Sequence, residues 1–123
     1  MNPSMEEELK NHLEYLTNIR PFRNWMNRES LSVAANYIEN QLIDYGYETN
    51  HQNWGVGRFE YTNIIASYQP ECKEKLIIGA HYDVYANQPG ADDNTSGVAG
   101  LLKVAAMVAE EKPDLPYGIE FVA

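Results

Sequence analysis

Leu76-Ile77-Ile78-Gly79-Ala80-His81-Tyr82-Asp83, followed by Pro89-Gly90-Ala91-Asp92-Asp93-Asn94-Thr95-Ser96-Gly97-Val98-Ala99, carries the reading of the fold. Leu76 to Ala80 is a short continuous apolar run, the pattern of a strand buried on both faces. Pro89 and Gly90 mark the segment from Tyr85 to Thr95 as a loop. From Ser96 to Glu111, Val98, Leu101, Leu102, Ala105 and Val108 recur at helical spacing. Pro113 and Pro116 break that helix, and Tyr117 to Ala123 begins a second apolar strand. Strand, loop, helix and strand at this spacing form a βαβ unit, with parallel strands and a right-handed crossover.

The same stretch holds the candidate chemistry. Ligands of open α/β sheets bind beyond the carboxyl ends of the strands, and His81-Tyr82-Asp83 occupies that position. Residues two apart in an extended segment face one side, so Asp83 can orient the His81 imidazole while the ring binds a metal. The loop then brings Asp92-Asp93-Asn94 to the start of a helix, where the positive end favours an ionised carboxylate. Histidine with carboxylates suits zinc better than calcium or magnesium. Taken singly, these pieces have plainer readings: a polar pair for His81 and Asp83, and a helix N-cap for the stretch from Asp92 to Ser96.

Working outward, Ser4-x-x-Glu7 is a capping-box pattern, and Met5, Leu9, Leu13 and Leu16 follow on a helical stripe that Arg20-Pro21 ends. A second helix from about Ser30 carries Leu31, Ala34, Ala35, Ile38 and Leu42, with Gly46 placed for a left-handed cap. Tyr47 to Trp54 and Phe59 to Tyr68 read as strands, with Gly55 and Gly57 as the turn between them. Trp25 and Trp54 read as packing residues, and His12 and His51 as surface or core polar groups without ligand-spaced partners. The expected class is α/β, a mixed sheet flanked by helices.

A length of 123 residues with 44% apolar content supports one domain with one core. Nine Lys and Arg against 18 Asp and Glu leave a formal charge of −9, which argues against nucleic acid or an anionic membrane as partner. Cys72 is the single cysteine and makes no internal disulfide. No stretch reads as a signal peptide or a membrane span, and the expected location is the cytoplasm.

The joint pattern from Gly79 to Asp83 and from Pro89 to Ala99 closely resembles the zinc-dependent aminopeptidase family that includes the bacterial leucyl aminopeptidases; glutamate carboxypeptidase, the transferrin receptor and glutaminyl cyclase are related. The resemblance implies the N-terminal part of a zinc-exopeptidase (phosphorylase/hydrolase-like) fold, with residues 1–123 as one incomplete peptidase domain. It makes His81 the terminal ligand of one zinc, Asp83 the carboxylate holding that ring, and Asp93 the carboxylate bridging two zinc ions. It also implies a cis peptide between Asp93 and Asn94, and leaves Asp92 as a loop-structuring residue. The implied activity is removal of N-terminal residues from peptide substrates through a metal-bridged hydroxide, with a glutamate as general base.

In the family, that glutamate belongs to a Glu-Glu pair just beyond the strand that Tyr117 to Ala123 resembles; Glu120 stands within the strand and does not match it. His81 and Asp93 are then two of an implied five protein ligands, fewer than the three that catalytic zinc takes from protein. The expectation is that the 123-residue polypeptide alone is inactive, and that it exposes a sheet edge prone to self-association. A carboxypeptidase-like relative, a glutaminyl-cyclase-like transferase with a single zinc, and a non-catalytic binding domain of the same fold are the other readings.

Overall fold

The computed structural model describes residues 2–123. Both halves of the capping box open the first helix, α1 (Met5–Thr17): Glu7 N donates to Ser4 Oγ at 3.2 Å and Ser4 N donates to Glu7 Oε2 at 2.8 Å. The buried side chains of α1 are His12 and Leu16, whereas Met5, expected on the apolar stripe, is exposed. Nothing packs beyond the first turn of α1 to cover Met5. His12 instead faces α2 (Arg28–Asp44), where its Nδ1 lies 2.6 Å from the Tyr37 hydroxyl.

A hairpin follows, β1 (Thr49–Val56) against β2 (Phe59–Tyr68), antiparallel. Gly55, expected in the turn, lies inside β1 opposite Glu60. The turn falls at Gly57, whose φ of +61° only glycine adopts readily. Then come β3 (Lys75–Gly79), α3 (Ser96–Glu111) and β4 (Gly118–Val122). The sheet order is β1-β2-β4-β3, with β4 antiparallel to β2 and parallel to β3, so the βαβ unit forms with the expected strand direction.

One face of this mixed sheet builds the core. Ile64 and Ala66 of β2, with Ile119 and Phe121 of β4, meet Ala34, Ala35, Ile38 and Leu42 of α2 and Val98, Leu101, Leu102 and Ala105 of α3. Strand alternation puts these β residues on one side and leaves Ser67 and Glu120 on the other. Tyr47 closes the core against Phe121, with ring centroids 5.6 Å apart, and donates its hydroxyl to Ala105 O at 2.7 Å.

The strand expected to be buried on both faces is not. Leu76 is 47% and Ile77 66% exposed, because β3 is an edge strand with a neighbour, β4, on one side only. A continuous apolar run signals two-sided burial only where cover exists on both faces, and in β3 only Ile78 is partly buried against the core. β4 is paired on both sides, so the open edges of the sheet are those of β1 and β3.

Candidate metal centre

The parallel ladder runs one residue past β3, with Ala80 N donating to Val122 O at 3.0 Å, and delivers His81 at the carboxyl end of the sheet. His81 stands between two carboxylates. Its Nδ1 lies 3.0 Å from Asp83 Oδ1, and its Nε2 lies 3.0 Å from Asp93 Oδ1. All three side chains are more than half exposed, so the group opens to solvent.

Asp93 reaches this place through the loop that leads into α3. Thr95 N donates to Gly90 O at 3.0 Å, closing a wide turn over residues 91–95. Within it Asp93 (φ −118°, ψ 86°) and Asn94 (φ −133°, ψ 38°) leave helical geometry, and the peptide between them is cis. Gly90 adopts φ +66°, and a Cβ there would lie 2.8 Å from Asp93 O and collide with Val84. That position needs glycine. Asp92, expected to structure the loop, accepts from Ser96 Oγ at 3.1 Å through its carbonyl.

The chemistry follows from the donor count of imidazole. When Nδ1–H donates to Asp83, Nε2 carries a lone pair that faces another acceptor, the Asp93 carboxylate. Two acceptors at 3.0 Å repel unless a positive centre, either a metal ion or a second ring proton, lies between them. A nitrogen and an oxygen that ligate one zinc ion through bonds of about 2.0–2.2 Å stand about 3.4 Å apart at a tetrahedral angle and about 3 Å apart at a right angle, so the His81–Asp93 separation of 3.0 Å lies at the short end of that range. The residues present therefore fit a zinc ion held by His81 Nε2 and Asp93, with Asp83 orienting the ring. Among the described residues no set of three or more His, Cys, Asp and Glu side chains is arranged to hold an ion.

Two flanking residues support the centre, and sequence reading missed both. Tyr82 donates its hydroxyl to Thr62 O at 2.7 Å; burial, aided by the Asp83 charge, pushes its pKa up to about 12, so it acts as a fixed donor. Arg23 is fully buried behind the site: Nε donates to Tyr82 O at 2.8 Å, one terminal nitrogen to Leu16 O and to Pro89 O at 3.3 Å, and the other to Thr95 Oγ1 at 2.7 Å. Asn24 continues the clasp, donating to Ala86 O at 3.0 Å. No local signal exposed Arg23, since it follows a helix stop in an irregular segment and its partners lie as far as 72 residues away.

Trp25 and Trp54, expected as packing residues, are 61% and 45% exposed. With Tyr61 they line a cavity of about 220 Å³ that reaches His81 and Asp83. Their rings sit on the irregular segment before α2 and near the tip of the hairpin, where no layer covers them.

A mixed sheet that sets a carboxylate-clamped histidine at a strand end, opposite an aspartate at the start of the crossover helix, has the fold of the zinc exopeptidases and glutaminyl cyclases. Residues 63–123 match the model of Peptidase family M28. The Escherichia coli (strain K12) uncharacterised protein YfbL is 37% identical over 125 residues, covering 95% of this chain and 38% of that protein. A "Probable leucine aminopeptidase" of Arthroderma otae is 28% identical, covering 87% of this chain and 31% of that protein. Among solved structures, the glutaminyl cyclase of Porphyromonas gingivalis superimposes with a TM-score of 0.79 at 26% identity, covering 97% of this chain and 46% of that one. The chain thus spans between about a third and a half of the length of these relatives.

Proposed function

We propose that the protein is a zinc-dependent aminopeptidase that releases N-terminal residues from peptides, and that this chain carries one side of its metal centre. The observation that carries the reading is His81, clamped by Asp83 through Nδ1 and facing Asp93 with Nε2 at 3.0 Å. The peptidase-family match of residues 63–123 and the aminopeptidase relative support it. When bound, zinc supplies Lewis-acid polarisation and lowers the pKa of water. The chain's own groups do the rest of what is visible. Asp83, 3.0 Å from Nδ1, fixes the tautomer and the orientation of the His81 ring. Asp93 has two carboxylate oxygens, enough to serve two ions. The cavity walled by Trp25, Trp54 and Tyr61 offers apolar cover for a substrate side chain beside the centre.

A second reading, cyclisation of N-terminal glutamine by a glutaminyl-cyclase-like transferase, is favoured by the superposition on the P. gingivalis enzyme. The two reactions differ in product. Zinc-replete full-length protein is assayed with leucyl-p-nitroanilide for nitroaniline and with an N-terminal glutamine peptide for ammonia. The expected result is nitroaniline release, lost on chelation and in Asp93→Asn. Ammonia release alone would install the cyclase reading, and no metal-dependent turnover of either substrate would leave a carboxypeptidase-like enzyme or a non-catalytic binding domain. The same assay on the 123-residue polypeptide is expected to give no turnover, because His81 and Asp93 supply fewer than the three protein ligands of a catalytic zinc.

A further inference from the structure

Arg23 is 2% exposed, yet its hydrogen bonds run to three backbone carbonyls and one hydroxyl. No carboxylate among the described residues accepts from it. A buried guanidinium costs several kcal/mol of desolvation, which a paired carboxylate would ordinarily offset. An apolar side chain of similar volume would avoid that cost, so the position calls for what a guanidinium alone provides: N–H groups fixed in a planar fork.

The ends of that fork lie on the two segments that carry the metal candidates. Nε holds the carbonyl of Tyr82, the residue between His81 and Asp83, at 2.8 Å. One terminal nitrogen holds Thr95, two residues after Asp93, at 2.7 Å; the other holds Pro89, next to the Gly90 hinge of the same loop, at 3.3 Å. A further bond goes back to Leu16 at the end of α1, and the Arg23 carbonyl accepts from Val84 N at 2.9 Å. The charge suits the place as well. Burial draws the Arg23 guanidinium pKa down, and the nearby Asp83 carboxylate opposes that shift.

We propose that Arg23 is the positioning residue that sets the separation between His81 and Asp93, joining the strand-end segment to the crossover loop through one rigid guanidinium. The inference rests on the metal reading given above. It makes the irregular segment before α2 part of the metal centre, although none of its side chains touches His81 or Asp93.

The test uses full-length protein loaded with cobalt(II), whose visible absorption reports ligand geometry, and zinc titration by chelator competition. Arg23→Lys keeps the charge but cannot span the two segments. Thr95→Val removes one of the bonds and keeps the shape. Both variants are expected to bind zinc roughly 10–100-fold more weakly, as for other groups that orient metal ligands. Their cobalt bands should also shift, under conditions where circular dichroism shows the metal-free proteins folded. If Arg23→Lys does not fold, Thr95→Val decides alone. Wild-type affinity and wild-type bands in a folded variant overturn the inference. Failure of the unaltered protein to take up either metal overturns the metal reading and this inference with it.

Discussion

His81 is held from both ring nitrogens, and the two contacts have different consequences. The 3.0 Å contact from Nδ1 to Asp83 decides which nitrogen faces Asp93. Asp83→Asn keeps the shape and can still accept from Nδ1–H, but it removes the negative charge that makes the ring a better donor to metal. The expected outcome is a zinc affinity reduced by roughly 10–100-fold with little change in melting temperature of the metal-free protein, read by chelator competition and calorimetry. An unchanged affinity would mean that Asp83 is only a surface partner of the ring. His81 and Asp83 stand out in the sequence as a strand-end pair, whereas Asp93 is singled out from Asp92 by the family resemblance; the structure brings the three side chains together. Arg23 was not legible: no spacing rule links an arginine after a helix to a carbonyl 59 residues later.

Between elements, a buried histidine joins α1 to α2. His12 lies against Tyr37, and the Tyr37 ring stacks on Tyr15 with centroids 4.0 Å apart. Burial lowers the His12 pKa below 6.5; Glu8 opposes the shift and Lys103, which is bonded to Glu8, adds to it. The folded state therefore prefers the neutral ring. As pH falls below 6.5 the unfolded chain takes up a proton before the folded one does, so stability falls until the folded pKa is passed. The stabilisation is full above pH 6.5 and is lost on acidification. Thermal melts of the unaltered protein and of His12→Asn should diverge in slope only below about pH 6.5, the unaltered protein losing more. Parallel curves would assign the acid sensitivity to other groups. The helices themselves needed no tertiary help to be read, since the capping box and the apolar stripes sit within single turns.

For the molecule as a whole, the sheet ends in β3 with an unpaired edge, and Leu76 and Ile77 lie exposed along it. Such an edge pairs readily with another chain. The 123-residue polypeptide is expected to self-associate with rising concentration, and Ile77→Lys to reduce this, as seen by sedimentation velocity. A strictly monomeric unaltered chain at high concentration would count against the edge as a pairing site. Among the described residues no helix is long and apolar enough to cross a membrane.

Local pattern determined the order and type of the elements, the mixed α/β class, and the placing of His81 and Asp93 on either side of the loop that joins β3 to α3. Hydrogen bonding within a helix, alternation along a strand and turn chemistry act over a few residues, so one sequence carries them openly. Tertiary structure alone decided that β3 is an edge and not a doubly buried strand, that His12 is buried while Met5 is exposed, and that Trp25 and Trp54 line a cavity. It alone brought Arg23 under the metal candidates. Burial and long-range bonding depend on which elements finally cover one another, and that is a property of the assembled layers, not of any window of the chain.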